Sequence, residues 1–200
     1  MKKIISFLLS LCTCFLCITS VSAEKENTDF YSFFSIAVTN RDFYALNCNG
    51  QDISNSILNL YQKEGSASVY SYLSKNSGLI GYHETIHSGS FSAIEEDITV
   101  SDYRYVITNH KDYGKSEWRT RFTGTYYCNS KTGLITRNSL PVFSLVPISS
   151  ETEFSNDYSV SNMNVSIKDE SYIIFYTDYS LYLTDTENHI FGSYNQKFLC

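Results

Sequence analysis

Proline, tryptophan and clustered basic residues are scarce in this sequence of 200 residues, which has two prolines and one tryptophan. The formal net charge is −6, and no group of lysines and arginines stands out. Binding to nucleic acid or to an anionic membrane rests on clustered positive charge, so we expect neither partner. With few prolines and no Gly/Ser-rich stretch, the sequence also gives no sign of a linker between domains.

Long hydrophobic runs are missing after the amino terminus. That terminus has Lys2 and Lys3, an apolar run over residues 4–18, and small residues up to Ala23. This order is typical of a secretory signal peptide, and the run is shorter than the about 20 residues that span a membrane. We predict a signal peptide over residues 1–23 that is cleaved after Ala23, and no membrane span in the processed chain.

The processed chain is expected to be secreted, and the lysine-led signal sequence favours a Gram-positive bacterium as its source. A unicellular eukaryote is the alternative, in which Asn164-Val165-Ser166 would be a glycosylation acceptor. The signal peptide also contains Cys12, Cys14 and Cys17, which leave lipidation as an alternative to free secretion. We predict a short flexible tail over residues 24–28, followed by a single β-rich domain over residues 29–200, since that length suits one hydrophobic core.

The processed chain has three cysteines, Cys48, Cys128 and Cys200. In an oxidising compartment an odd number allows at most one intramolecular disulfide. A Cys48–Cys128 bond would close a loop of about 80 residues and stabilise the fold by about 4 kcal/mol, although Cys200 could replace either partner. The third cysteine is then buried, bonded to another molecule or free; a catalytic cysteine that uses a histidine as its base is a further alternative.

The residue types favour β-structure. The sequence has 17 tyrosines and 13 phenylalanines, and aromatic and β-branched residues are enriched in strands. Hydrophobic residues alternate in NMNVSIKD (163, 165 and 167) and in YSLYLTD (179, 181 and 183), which is the period of a half-buried strand. We predict a mainly β fold, an antiparallel β-sandwich or open barrel of about eight or more short strands.

Turn residues divide the predicted strands. The segment 129–133, NSKTG, separates a strand over residues 122–128 from a return strand over residues 134–136, because asparagine and glycine favour tight turns. Pro141 and Pro147 bracket VFSLV and mark it as an edge strand, since proline cannot donate to a β-ladder. A second hairpin is predicted from 179 to 198, with its turn at residues 185–188.

One short helix is predicted. Ile53, Ile57, Leu60 and Tyr61 share one helical face. We therefore predict a helix from about Ile53 to Lys63, with the preceding residue, an aspartate, as its N-cap and the glycine at 65 as its stop. This helix would pack on the β-structure.

One short motif matches a known pattern of metal-binding residues. His83-Glu84-Thr85-Ile86-His87 matches H-E-x-x-H and resembles, over these five residues, the helix on which zinc metalloproteases bind their metal. The resemblance implies that His83 and His87 are zinc ligands and that Glu84 is the general base. The chemistry requires a helix, because histidines four residues apart on a strand are about 13 Å apart.

The neighbouring sequence disfavours that helix. Glycines lie on both sides of the motif, at 78, 81 and 89, and glycine destabilises a helix by about 1 kcal/mol relative to alanine. Candidate third ligands are Glu95, Glu96, Glu117 and His110, but none has a supporting context. We therefore expect no catalytic residue, metal or cofactor, and retain a zinc hydrolase or a looser surface metal site as alternatives.

Exposed aromatic residues suggest a different function. Tyrosine and tryptophan on the surface of a sandwich can contact sugar rings or a protein partner. Candidate binding residues are Tyr103, Tyr105, Trp118, Tyr127 and Tyr182. We predict a non-enzymatic secreted protein that binds an unknown extracellular protein or glycan, and the zinc-dependent hydrolase or peptidase is the alternative.

Overall fold

A computed structural model describes residues 28–89, 94–184 and 189–200. The predicted signal peptide over 1–23, the tail at residues 24–27 and the predicted turn at 185–188 lie outside the described residues. Residue 28, the last of the predicted tail, is already helical.

The described chain contains three helices where one was predicted. They are α1 (28–39), α2 (Ser54–Glu64) and α3 (Ser66–Asn76). The predicted helix is confirmed as α2 and ends at Gly65, where φ is +81°. Its N-cap is Ile53 and not the predicted aspartate; the Asp52 carboxylate accepts a hydrogen bond from the Ser54 N–H instead. No helix among the described residues is long and apolar enough to cross a membrane.

Nine strands form two antiparallel sheets, which confirms the predicted mainly β, sandwich-like fold. Sheet A has the order β1-β2-β3-β4-β5, with β6 also paired to β4, and sheet B has the order β7-β8-β9. The strands are β1 (Phe43–Asn47), β2 (Gly78–Gly89), β3 (Glu95–His110), β4 (Gly114–Asn129), β5 (Leu134–Asn138), β6 (Val142–Ser150), β7 (Phe154–Lys168), β8 (Tyr172–Leu183) and β9 (His189–Leu199).

The predicted hairpin and edge strand are both present. The turn between β4 and β5 ends at Gly133, which has a positive φ of +65° that glycine adopts readily. Of the strands that the structure describes, only β4 pairs with β6, and the register shifts by a residue near Pro147, which lies opposite Trp118. Proline at this position follows the rule that it occurs at edges and bulges.

Sheet A separates two hydrophobic cores. Even-numbered residues of β3 and β4, such as Val100 and Phe122, face sheet B and join the core between the sheets. Odd-numbered residues, such as Tyr105 and Ile107, face the helices and join a second core with Phe30 of α1. The molecule therefore has three layers, the helices, sheet A and sheet B, and only part of the helix side of sheet A is covered.

The disulfide joins the two sheets. Cys128 of β4 and Cys200 at the end of β9 are bonded, with 5.5 Å between their Cα atoms, while Cys48 is a free and exposed thiol. The structure therefore shows the alternative in which Cys200 replaces Cys48 as the partner of Cys128, and the Cys48–Cys128 bond is not formed. The inner face of β4 brings Cys128 against sheet B, whereas Cys48 lies in the turn after β1.

The buried Tyr105, Tyr179 and Tyr194 and the half-buried Tyr44 are expected to ionise only when the protein unfolds. Burial raises the pKa of each hydroxyl above its ordinary value of 10.0. Because the folded pKa exceeds the unfolded one, their stabilising contribution is complete below pH 10.0 and is lost as the pH rises toward the folded pKa. Tyrosinate absorbance followed together with circular dichroism should show these groups ionising with loss of structure. Ionisation of every tyrosine with the fold intact would contradict this expectation.

Candidate functional site

The HETIH stretch lies in strand β2 and is not helical, in agreement with the flanking glycines, which disfavoured a helix. His83 and Glu84 are neighbours on a strand, so their side chains point to opposite faces of sheet A. His83 faces sheet B and pairs with Asp102, whereas Glu84 accepts a hydrogen bond of 3.2 Å from the Tyr103 hydroxyl on the helix side. The resemblance to zinc metalloproteases therefore does not extend to the geometry that their chemistry requires.

The two histidines have different partners. The Nε2 atom of His83 lies 3.6 Å from the Asp102 carboxylate, and its ring stacks on Tyr44. The Nδ1 atom of His87 lies 2.6 Å from the carboxylate of Glu96. Among residues 28–89, 94–184 and 189–200, no group of three or more histidine, cysteine or acidic side chains is placed to hold a metal ion.

The other candidate third ligands lie elsewhere. Glu117 is fully buried on the helix side, where it accepts hydrogen bonds from the hydroxyls of Tyr70 and Tyr105 and pairs with Lys115. Glu95 pairs with Arg137, and His110 stacks on Tyr113.

Two of the predicted binding residues are buried, so the prediction that they form an exposed platform is wrong. Trp118 is 1% exposed in the core between the sheets, and its Nε1–H donates to the Tyr179 hydroxyl. Tyr105 is completely buried beneath α1, in edge-to-face contact with Phe30. Both residues lie where a neighbouring layer covers sheet A, which the alternation of a single strand does not indicate.

The three other predicted residues are half-exposed but lie on two separate surfaces. Tyr103 and Tyr127 are on the helix side of sheet A, where Tyr127 stacks under Arg137 at 3.7 Å. Tyr182 is on the outer face of sheet B, where its hydroxyl donates to Ser159. The structure therefore does not bring the predicted residues into one platform.

The outer face of sheet B carries an aromatic surface that starts at Tyr182. Along β8 every second residue is buried in the core, and the residues between them are half-exposed. His189 lies opposite Tyr182 on β9, 4.5 Å away between ring centroids, and stacks on Phe191 at 5.7 Å. Phe191 is 76% exposed. We call Tyr182, His189 and Phe191 the outer strip.

A depression of about 510 Å³ that contains several polar side chains lies beside Phe191. Its lining includes the carboxylate-bearing Asp178 and the serines 161, 180 and 193. Asp178 is held in place because the Tyr176 hydroxyl and the Asn162 amide donate to it at 2.7 and 2.8 Å. A carboxylate can accept about four hydrogen bonds, so it retains acceptor capacity for a ligand.

A buried charged network positions the strand that carries Phe191. Arg104 donates to the Asp102 carboxylate at 3.0 Å and to the backbone carbonyl of Ser193 at 3.0 Å. The Gln196 amide donates to Asp102 at 2.9 Å, and the Tyr44 hydroxyl donates to it at 2.6 Å. These hydrogen bonds connect β9 to sheet A on both sides of Tyr194. They therefore fix the position of the strand that carries Phe191 of the outer strip.

Sequence reasoning missed Asp178, Phe191 and the Asp102–Arg104 pair. For the first two a signal was present, because the alternation of β8 and β9 assigns both residues to the face opposite the core. No comparable signal existed for Asp102 and Arg104, which occupy positions where alternation predicts apolar residues.

Comparison of the chain with models of protein families, with curated proteins and with solved structures found no match.

Proposed function

We propose that this protein is a non-enzymatic extracellular binding protein that takes a neutral glycan at the outer strip and its neighbouring depression. The disulfide between Cys128 and Cys200 supports an oxidising location. The observation that carries the proposal is the exposed ring of Phe191 beside the Asp178 carboxylate.

A sugar ring offers one apolar face of C–H groups and a rim of hydroxyls, and the site matches both features. Phe191 presents an apolar surface that nothing in the described chain covers beyond its stacking on His189. Asp178 and the serines around it accept and donate hydrogen bonds, and hydrogen bonds to a carboxylate are about twice as strong as neutral ones.

The size of the depression also suits a glycan. Its volume of about 510 Å³ lies within the range of about 300–1,000 Å³ for ligand sites. Because the site is open and shallow, we expect it to take sugar units within a longer chain.

Binding to a panel of immobilised neutral polysaccharides tests the proposal. Phe191→Ala should weaken retention by at least about tenfold, equivalent to about 1.4 kcal/mol, because it removes the apolar contact, and Asp178→Asn should weaken it as well. The matched control is Leu199→Ala, which truncates another exposed apolar residue of β9.

The thermal midpoint of each variant separates loss of binding from loss of fold. All three substitutions are at positions outside the core, so the midpoints should stay close to that of the wild type. Absence of binding to every polysaccharide, or binding that Phe191→Ala leaves unchanged, would rule out the glycan site.

A further inference from the structure

A groove lies on the other side of the molecule, between α1 and sheet A. It has a volume of about 240 Å³. Phe33 and Ile36 of α1 form one wall and Val146 of β6 forms part of the other. Ile36 is 56% exposed and Val146 is 49% exposed. The groove therefore offers an apolar surface that the core does not use, and it is separate from the outer strip.

Stacked rings form the floor of this groove. Tyr82 packs against Phe33 at 5.7 Å and against Tyr103 at 4.9 Å between ring centroids, and Arg121 lies over the Tyr103 ring at 5.2 Å. The faces of the two tyrosine rings are thus occupied by one another and by these neighbours. This disfavours a sugar that would stack on a ring face and favours a ligand that packs against aliphatic side chains.

Two arginines in the lining have no acidic partner in the described part of the chain. Arg119 and Arg121 are two residues apart on β4, so both point to the helix side, with backbones about 7 Å apart. Neither forms an ion pair with a described carboxylate, and no acidic residue lines the groove. Glu84 is nearby, since it accepts a hydrogen bond from the Tyr103 hydroxyl beneath Arg121. In an acidic chain of net charge −6, two adjacent guanidinium groups without an ion pair still make a local positive site.

We infer that this groove binds a small amphipathic carboxylate. The carboxylate is held by Arg119 and Arg121, since the guanidinium group matches its geometry. The apolar part of the ligand lies against Ile36 and Val146. Because the volume is below the about 300 Å³ at which sites for drug-sized ligands begin, the ligand is a short acyl chain or a compound of similar size.

The test uses octanoate as the probe, with the full secreted protein and isothermal titration or the shifts of methyl resonances as the readout. We expect saturable binding of octanoate. Octanamide, which lacks the charge, and acetate, which lacks the chain, should each bind at least about tenfold more weakly, because each loses one of the two recognition elements.

Matched variants assign the binding to the groove. Arg119→Gln combined with Arg121→Gln should weaken octanoate binding at least about tenfold, and Ile36→Ser should weaken it too. Arg41→Gln, at an exposed arginine in the turn before β1, should leave it unchanged. Thermal midpoints check that the variants fold.

Three outcomes overturn the inference. The first is that octanoate does not saturate the protein at concentrations up to about 10 mM, a limit weaker than ordinary ligand affinities. The second is that octanamide binds as tightly as octanoate. The third is that the double arginine variant binds octanoate as tightly as the wild type. Polysaccharide binding at the outer strip is measured separately, so failure of either site leaves the other result intact.

Discussion

Cys128→Ala is expected to lower the thermal midpoint by roughly 10–15 °C. The Cys128–Cys200 bond spans 72 residues, and closing a loop of that length restricts the unfolded chain enough to stabilise the fold by about 4 kcal/mol. It also holds the end of β9 against β4, where the Tyr126 hydroxyl donates to the Leu199 carbonyl. Thermal unfolding followed by circular dichroism measures the change.

The free thiol supplies the control for this prediction. Cys48→Ala removes an exposed cysteine and should leave the midpoint unchanged, whereas Cys200→Ala and reduction of the wild type should each reproduce the loss seen for Cys128→Ala. If Cys48→Ala destabilises the protein and Cys200→Ala does not, the described pairing is wrong.

Arg104→Met should destabilise the protein by about 3–5 kcal/mol, because it leaves the Asp102 carboxylate buried without its cationic partner. Asp102 is 1% exposed and Arg104 is 7% exposed. Urea denaturation measures the free energy of unfolding. The double variant Asp102→Leu with Arg104→Met should be more stable than Arg104→Met alone, since it removes both charges from the interior.

A surface ion pair serves as the comparison. The exposed Arg137 and the half-exposed Glu95 lie 3.4 Å apart, and surface pairs contribute about 0–1 kcal/mol. Arg137→Met should therefore have a small effect. A double variant at 102 and 104 whose loss equals the sum of the two single losses would contradict the coupling of Asp102 to Arg104.

The strands were predictable where one face of a sheet meets the core and the other meets solvent. Tyr179, Leu181 and Leu183 are buried, and Ser180 and Tyr182 between them are half-exposed, as their alternation predicted. The flanking glycines correctly disfavoured a helix at HETIH, although they did not distinguish the observed strand from a loop. α2 was predictable from its period and its glycine stop.

The wrong predictions of exposure concern residues of sheet A that a neighbouring layer covers. β3 is covered on both faces, so Tyr105 and Val106 are both buried although they point in opposite directions. No local pattern distinguishes an aromatic residue beneath a helix or a second sheet from one in solvent, which is why Tyr105 and Trp118 were expected to be exposed. α1 and α3 were missed because serine and aromatic residues, which are weak helix formers, occupy many of their positions, and packing against sheet A stabilises them.

The pairing pattern of the strands has a consequence for the rate of folding. Among the described strands, every pair except β4–β6 joins consecutive strands, although α2 and α3 lie between β1 and β2. Proteins rich in such local contacts pay a smaller entropic cost of loop closure before contacts form, and they fold faster than β proteins with long-range pairings. We therefore expect the consecutive strands β2–β3–β4–β5 and β7–β8–β9 to pair quickly, with the addition of β1 and β6 and the docking of the two sheets as later steps.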